Sequence, residues 1–273
     1  MFDAQDRNSH FRSALGLLEL IYVSTVRSMR KGNRNAILGL ASNMMQTVVF
    51  LAAFYLMFYV LGMRGSAIRG DFILYLLSGI FLFLTHTKAV GAIVGSEGPT
   101  SAMMQHAPMN TAIAISAAAL STLYMQTLSV LLILFIVHVA WRPIVIDDPI
   151  GSAGMFLLAW FSGVAVGMVF LALKPWFPGF ASLCAMVYSR ANMIASGKMF
   201  LANTMPSFML AFFDWNPLFH CIDQARGFAF INYNPHFSSI SYPVYVSLAL
   251  IMIGLMGEFY TRKHASVSWG AGR

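Results

Sequence analysis

Residues 37–61 contain no Asp, Glu, Lys or Arg. The same near-absence of charge returns at 72–95, where Lys88 lies near the end, and at 109–140, 150–173 and 242–260. A sixth run, 177–202, is apolar but holds Arg190 and Lys198. About 20 apolar residues are enough for a helix to cross the hydrocarbon core of a bilayer. A spanning segment must also satisfy its own backbone hydrogen bonds, so repeated runs of this length predict helices rather than strands. Soluble domains carry about 25% charged residues, whereas this chain has 10% charged and 58% hydrophobic residues. The expected fold is therefore an all-α integral membrane protein with six transmembrane helices. The polar start, MFDAQDRNSH, does not read as a secretory leader, so the first run is expected to remain as a span.

The charges around the runs predict an orientation. Arg7, Arg12, Arg27, Arg30, Lys31, Arg34, Lys88, Lys174, Arg262, Lys263 and Arg273 fall on one side of a six-span topology. Only Arg64, Arg69, Arg142 and Arg226 fall on the other. Positive residues concentrate on the cytoplasmic side of membrane proteins, so both termini are expected there. The net charge of +7 is then explained by the membrane surface, and no nucleic-acid partner is expected. Ahead of the first span, Phe11, Leu15, Leu18, Tyr22, Val26 and Met29 recur at steps of three or four, with Arg12, Glu19, Arg27 and Arg30 off that stripe. This predicts an amphipathic helix in the cytoplasmic interface. The chain accordingly divides into a cytoplasmic segment, 1–35, and a membrane domain, 36–273.

The densest polar stretch is DWNPLFHCIDQARG, 214–227. His220, Cys221 and Asp223 suggest a metal site, but adjacent helical positions point about 100° apart and do not converge on one ion. Asp214, His220 and Asp223 lack the nucleophile or cofactor motif that acid–base catalysis needs. A structural reading fits better. Asp214 or Asn216 caps a helix with Pro217 in its first turn, running to about Arg226 and ended by Gly227. Asp223 and Arg226, three apart, are placed to pair, and Trp215 suits a membrane–water interface. Upstream, SFMLAFF is too short to cross and predicts a short re-entrant helix within a region of about 203–235. A charge at the bilayer centre costs about 2.5–3.5 kcal/mol on insertion scales. Arg190 must therefore lie in a substrate pathway, pair as a buried structural cation, or snorkel to the cytoplasmic interface, and Lys198 is expected to snorkel outward. Cys184 and Cys221 have no paired spacing and are expected to be free.

The second connection, EGPTSAMMQHAPM, brackets one short helix between Gly98-Pro99 and Pro108, either a surface loop or an insertion into a partner's groove. The chain has no GxxxxGK[ST] loop, HExxH, GxSxG or paired-cysteine zinc spacing. Any ATP must be bound by a separate subunit.

These motifs, in their order, resemble the membrane subunit of type-2 ABC exporters of the capsular polysaccharide, O-antigen and teichoic-acid class, most nearly the capsule type. WNPLFHCIDQARG is similar to the family's Trp-Asn-Pro-Leu-x-His-x-x-Glu-x-x-Arg, with Asp223 in place of Glu. VRSMRKGNRNAILG, LSGIF, EGPTSAMMQHAPM, KMFLANTMP and the Tyr260-Thr261-Arg262 exit extend the resemblance over nearly the whole chain. It implies a homodimer driven by two ATP-binding subunits that hold ATP and Mg, with no cofactor on this chain. It further implies residence in the bacterial inner membrane and a lipid-linked, anionic polysaccharide as cargo. Other implied partners are membrane lipid, a periplasmic co-polymerase and an outer-membrane channel. Glu97, Gly98, Pro99, Met104, His106 and Pro108 would couple to the ATPase, with the coupling helix at about 97–108. Arg27, Arg30 and Arg34 would lie at the cytoplasmic gate. Tyr188, Arg190, Lys198 and Trp215 would line the path, although Lys198 stands where relatives are usually apolar. Asn216, Pro217, His220, Asp223 and Arg226 would build the outer gate. Export of a small molecule or drug, and an intramembrane enzyme acting on lipid-linked sugars, are the competing expectations. A passive channel is disfavoured because no repeated filter is present.

Overall fold

The computed structural model describes residues 6–31, 36–60, 62, 71–98, 110–141 and 143–264, apart from the side chains of 6–14, 30, 31 and 36. All regular structure among these residues is helical. The elements are α1 (Asp6–Lys31), α2 (Ala36–Val60), α3 (Phe72–Val94), α4 (Thr111–Ala140), α5 (Pro149–Leu173), α6 (Pro178–Ala195), α7 (Ser207–Leu210), α8 (Pro217–Ala229) and α9 (Ser241–His264). A 3₁₀ turn at Ala202–Thr204 precedes α7. Five of the helices, α2, α3, α4, α5 and α9, are long and apolar enough to cross a membrane, which makes the chain a multi-pass helical membrane protein.

The helix ends follow local chemistry. Asp71 accepts the Ile73 N–H at 3.0 Å and starts α3. Asp148 accepts from both Ile150 and Gly151 at 3.0 Å, with Pro149 in the first turn of α5. A carboxylate at this position satisfies orphan backbone donors and meets the positive end of the helix dipole. Arg262, Lys263 and His264 in the last turn of α9 meet the opposite end.

Helix α3 is the centre of the bundle. The core share of its apolar window is 78%, against 22% for α2 and 17% each for α4 and α9. Leu74, Leu77, Ile80, Phe81 and Leu84 of α3 pack with Leu218, Ile222 and Ala225 of α8 and with Met155 and Ala159 of α5. The α3–α5 contact is close because Gly163 has no side chain; a Cβ there would stand 2.5 Å from the His86 carbonyl oxygen. Small residues at such crossings let helix backbones approach within a membrane. In α1, the apolar residues Leu15, Leu18 and Tyr22 are exposed, while Thr25 is buried and Val26 and Met29 are half-buried, so the 15–22 part of the stripe points away from the bundle.

Two sequence expectations are corrected. The apolar run 177–202 does not form one helix: α6 ends at Ala195, and it is not among the five long apolar helices. The break is at Gly197, with φ +66°, a left-handed conformation that glycine adopts without penalty. Nor does α8 stop at Gly227; it continues to Ala229. Gly227 instead makes room for Pro235, which a Cβ would approach to 2.7 Å.

Candidate functional site

The polar stretch found in the sequence forms a frame around α8, a helix whose side chains are largely buried. Asn216 is the N-cap and accepts the Leu218 N–H at 3.1 Å. Its Nδ2 donates to Asn192 Oδ1 and to the Ala195 carbonyl, both at 2.8 Å. One side chain therefore starts α8 and closes the end of α6. The Pro217 start is as the sequence predicts, and of the two candidate caps, Asp214 and Asn216, it is Asn216 that caps the helix.

His220 is locked on both ring nitrogens. The Ser239 N–H donates to Nδ1 at 3.1 Å, which leaves the proton on Nε2 to donate to the Asp214 carbonyl at 2.7 Å. The ring also lies against Tyr242, with centroids 4.6 Å apart. Asp223 is buried and accepts from the Ser238 hydroxyl at 2.7 Å and from the Tyr233 hydroxyl. Burial, then the charge of Asp223, raises the Tyr233 pKa, so Tyr233 stays a donor to the carboxylate.

Arg226 is fully buried. It donates to the carbonyls of Gly197 at 3.3 Å, Phe200 at 2.5 Å and Lys198. Its guanidinium lies over the Tyr75 ring at 4.3 Å, and the Tyr75 hydroxyl donates to Met199 O at 2.9 Å. The predicted Asp223–Arg226 pair is therefore corrected: the carboxylate turns to the 233–238 loop and the guanidinium to the 197–200 turn. The planar fork of arginine suits several converging carbonyls. These partners occupy His220, Asp223 and Arg226 in holding the fold. Among the described residues, no three of His, Cys, Asp and Glu converge, and Cys184 and Cys221 are free thiols.

The candidate path residues are not in one place. Arg190 is exposed on α6, on the face that carries the exposed Leu183, Met186, Val187 and Ile194. Trp215 is exposed, and its carbonyl accepts from the Tyr242 hydroxyl at 2.8 Å. Lys198 does not snorkel outward. It is buried, its Nζ is 3.8 Å from the Phe83 ring centroid and 5.3 Å from that of Phe54, and it donates to Met193 O. Aromatic faces of this kind stabilise a desolvated ammonium.

Tyr188 leads to a residue the sequence reading missed. Its hydroxyl is 2.9 Å from His86 Nε2. The other ring nitrogen, Nδ1, is 2.9 Å from Ser162 Oγ. Ser162 donates its own hydrogen to Ala159 O at 2.9 Å, so His86 Nδ1–H donates to Ser162 and Nε2 accepts from Tyr188. This chain joins α6, α3 and α5 inside the bundle. The only sequence signal was a histidine within an apolar run, which is by default a functional candidate in a membrane helix.

At the other end of the bundle, Glu97 and Gly98 follow α3. Pro99, Met104, His106, Pro108 and Arg34 lie outside the described residues, as does the side chain of Arg30. Arg27 lines a cavity of about 760 Å³ between α1, α2, α3 and α4. Asn43 Oδ1 accepts there from Lys88 Nζ and from Gln126 Nε2 at 3.1 Å, and Asn43 Nδ2 donates to Ser129 Oγ at 2.7 Å. Neither a family model nor a curated protein matches the chain.

Proposed function

We propose that this chain is the permease subunit of an ATP-driven ABC exporter that moves a lipid-linked, anionic polysaccharide across the bacterial inner membrane. The observation that carries the reading is the frame around α8. The ordered motif WNPLFHCIDQARG forms a buried, capped helix between α6 and α9, preceded by a 3₁₀ turn and the short α7. Its polar groups bond to the surrounding backbone and loops, which supports a structural role at a gate. The resemblance supplies the rest: two copies form the path, two separate subunits bind and hydrolyse ATP, and the 97–108 connection couples them.

In this reading α6 is the sixth crossing. Its 18 residues rise about 27 Å at 1.5 Å each, close to the roughly 30 Å hydrocarbon thickness, and both termini are cytoplasmic. Arg190 on its exposed face meets the anionic cargo, with Trp215 beyond it and Tyr188 held by His86. Residues 203–235 form the outer gate. Arg27, Arg30 and Arg34 stand at the cytoplasmic entrance.

Deletion of the gene tests the function. The expected result is loss of the surface polymer with its lipid-linked form retained inside, restored by the wild-type gene. A deletion strain that keeps its surface polymer but becomes sensitive to drugs overturns the reading in favour of small-molecule export. Polymer-chain chemistry lost along with His220→Ala or Asp223→Asn, in protein that remains folded, points instead to an enzyme.

A further inference from the structure

The cavity between α1, α2, α3 and α4 has a largely apolar wall into which Lys88, Asn43, Gln126 and several hydroxyl side chains project. At about 760 Å³ it is within the size range of small-molecule sites. It opens at the end of the bundle where α2 and α4 begin and α3 ends, and it reaches inward along α4 as far as Gln126. Lys88 enters from α3 and Arg27 from α1, with Glu97, just beyond α3, as the one carboxylate among the described lining residues. Arg27 and Glu97 already engage other groups. Lys88 is different. Among the described residues its ammonium has one hydrogen-bond acceptor, Asn43 Oδ1, and an ammonium has three donors. Asn43 is itself fixed by Gln126 and Ser129, so the ammonium is positioned with donor capacity left over. Ser121, bonded to Ser28 across α1 and α4 at 3.2 Å, adds a hydroxyl to the wall.

We infer that this cavity binds a phosphate-bearing headgroup, with the phosphate on the Lys88 ammonium and the headgroup hydroxyls on the serine and amide wall. Phosphate suits the site because it offers several charged acceptors to donors arriving from different helices. The cavity lies beside α1, which turns its exposed Leu15, Leu18 and Tyr22 away from the bundle, as an interfacial helix does. The cavity is separate from Arg190 and the α8 frame, and its occupancy does not depend on the export reading.

The test uses the full-length chain in detergent micelles doped with phosphatidylglycerol or phosphatidylcholine, with retained lipid read by native mass spectrometry. Two variants accompany the wild type. Lys88→Gln removes the cation, and Ala114→Trp fills the cavity from its wall while keeping the lysine. Wild type is expected to retain phosphatidylglycerol at least tenfold over phosphatidylcholine, and both variants to lose that preference at least fivefold. The preference is a ratio within each variant, so lowered stability alone does not change it; if Lys88→Gln fails to fold, Ala114→Trp decides. Inorganic phosphate distinguishes the sources. Displacement of phosphatidylglycerol by phosphate in wild type shows that the free anion suffices, and resistance to it shows a lipid headgroup; either supports the phosphate chemistry. No preference in wild type, or an equal preference in wild type and both variants, overturns the inference.

Discussion

Asn216 and Asn192 face each other across 2.8 Å in the interior, 24 residues apart in the chain. The contact ties the start of α8 to the last turn of α6, and Asn216 supplies both the cap of one helix and a donor to the other. Replacing it with alanine removes the cap, at about 0.5–2 kcal/mol. It also leaves buried acceptors on α6 unpaired, at about 1–3 kcal/mol. Asn216→Ala is expected to destabilise the purified protein by about 2–4 kcal/mol, read by thermal unfolding in detergent. Asn216→Asp keeps the cap acceptor, loses the amide donor and is expected to remain clearly below wild type.

Arg226 and Asp223 are neighbours on α8 with separate partners. Each single substitution is expected to be strongly destabilising, because each leaves buried groups unmatched. Their coupling is expected to be small. A double-mutant cycle with Asp223→Asn and Arg226→Gln should give an interaction energy of about 0.5 kcal/mol, the low end of the range for neighbouring residues. A coupling of several times that size would show a direct ion pair.

His86 and Tyr188 should behave in the opposite way. They share a hydrogen bond at 2.9 Å, and Tyr188→Phe leaves a buried ring nitrogen without its donor. Tyr188→Phe alone is expected to cost about 1–3 kcal/mol. His86→Leu and Tyr188→Phe together are expected to cost less than their sum by more than about 0.5 kcal/mol. Export, measured as surface polymer, should fall with Tyr188→Phe if the hydroxyl bond orients the ring toward the path.

Gly197 makes the break after α6 possible. A Cβ there would stand 2.5 Å from the Phe219 ring, at a positive φ. Gly197→Ala combines overpacking, about 1–3 kcal/mol, with a strained backbone. The expected melting temperature is well below wild type, and Phe219→Leu in the same chain should recover only the steric part.

The helices were legible because their signals are local. Long apolar runs with few charges marked α2, α3, α4, α5 and α9, and Asn216-Pro217 marked the start of α8; its capping needs only neighbours in sequence. The partners of Arg226 were not legible. They are carbonyls 26 to 29 residues away, brought close by a turn at Gly197 that an apolar run conceals. Lys198 was misplaced for the same reason: once the chain turns, the ammonium swings inward onto Phe83 and Phe54 instead of continuing toward the surface. His86 was overlooked because its partners come from two other helices, and no spacing within α3 announces them.

A six-span permease whose α8 frame lies across the membrane from the chain termini requires α6 to cross. Labelling with a membrane-impermeant thiol reagent in intact cells tests this directly, in a chain with Cys184 and Cys221 replaced by serine and single cysteines at Phe177 or Asp214, both exposed at opposite ends of the segment. The account predicts that Asp214→Cys is labelled from outside and Phe177→Cys only after the inner membrane is opened. Labelling of both positions from the same side would contradict it.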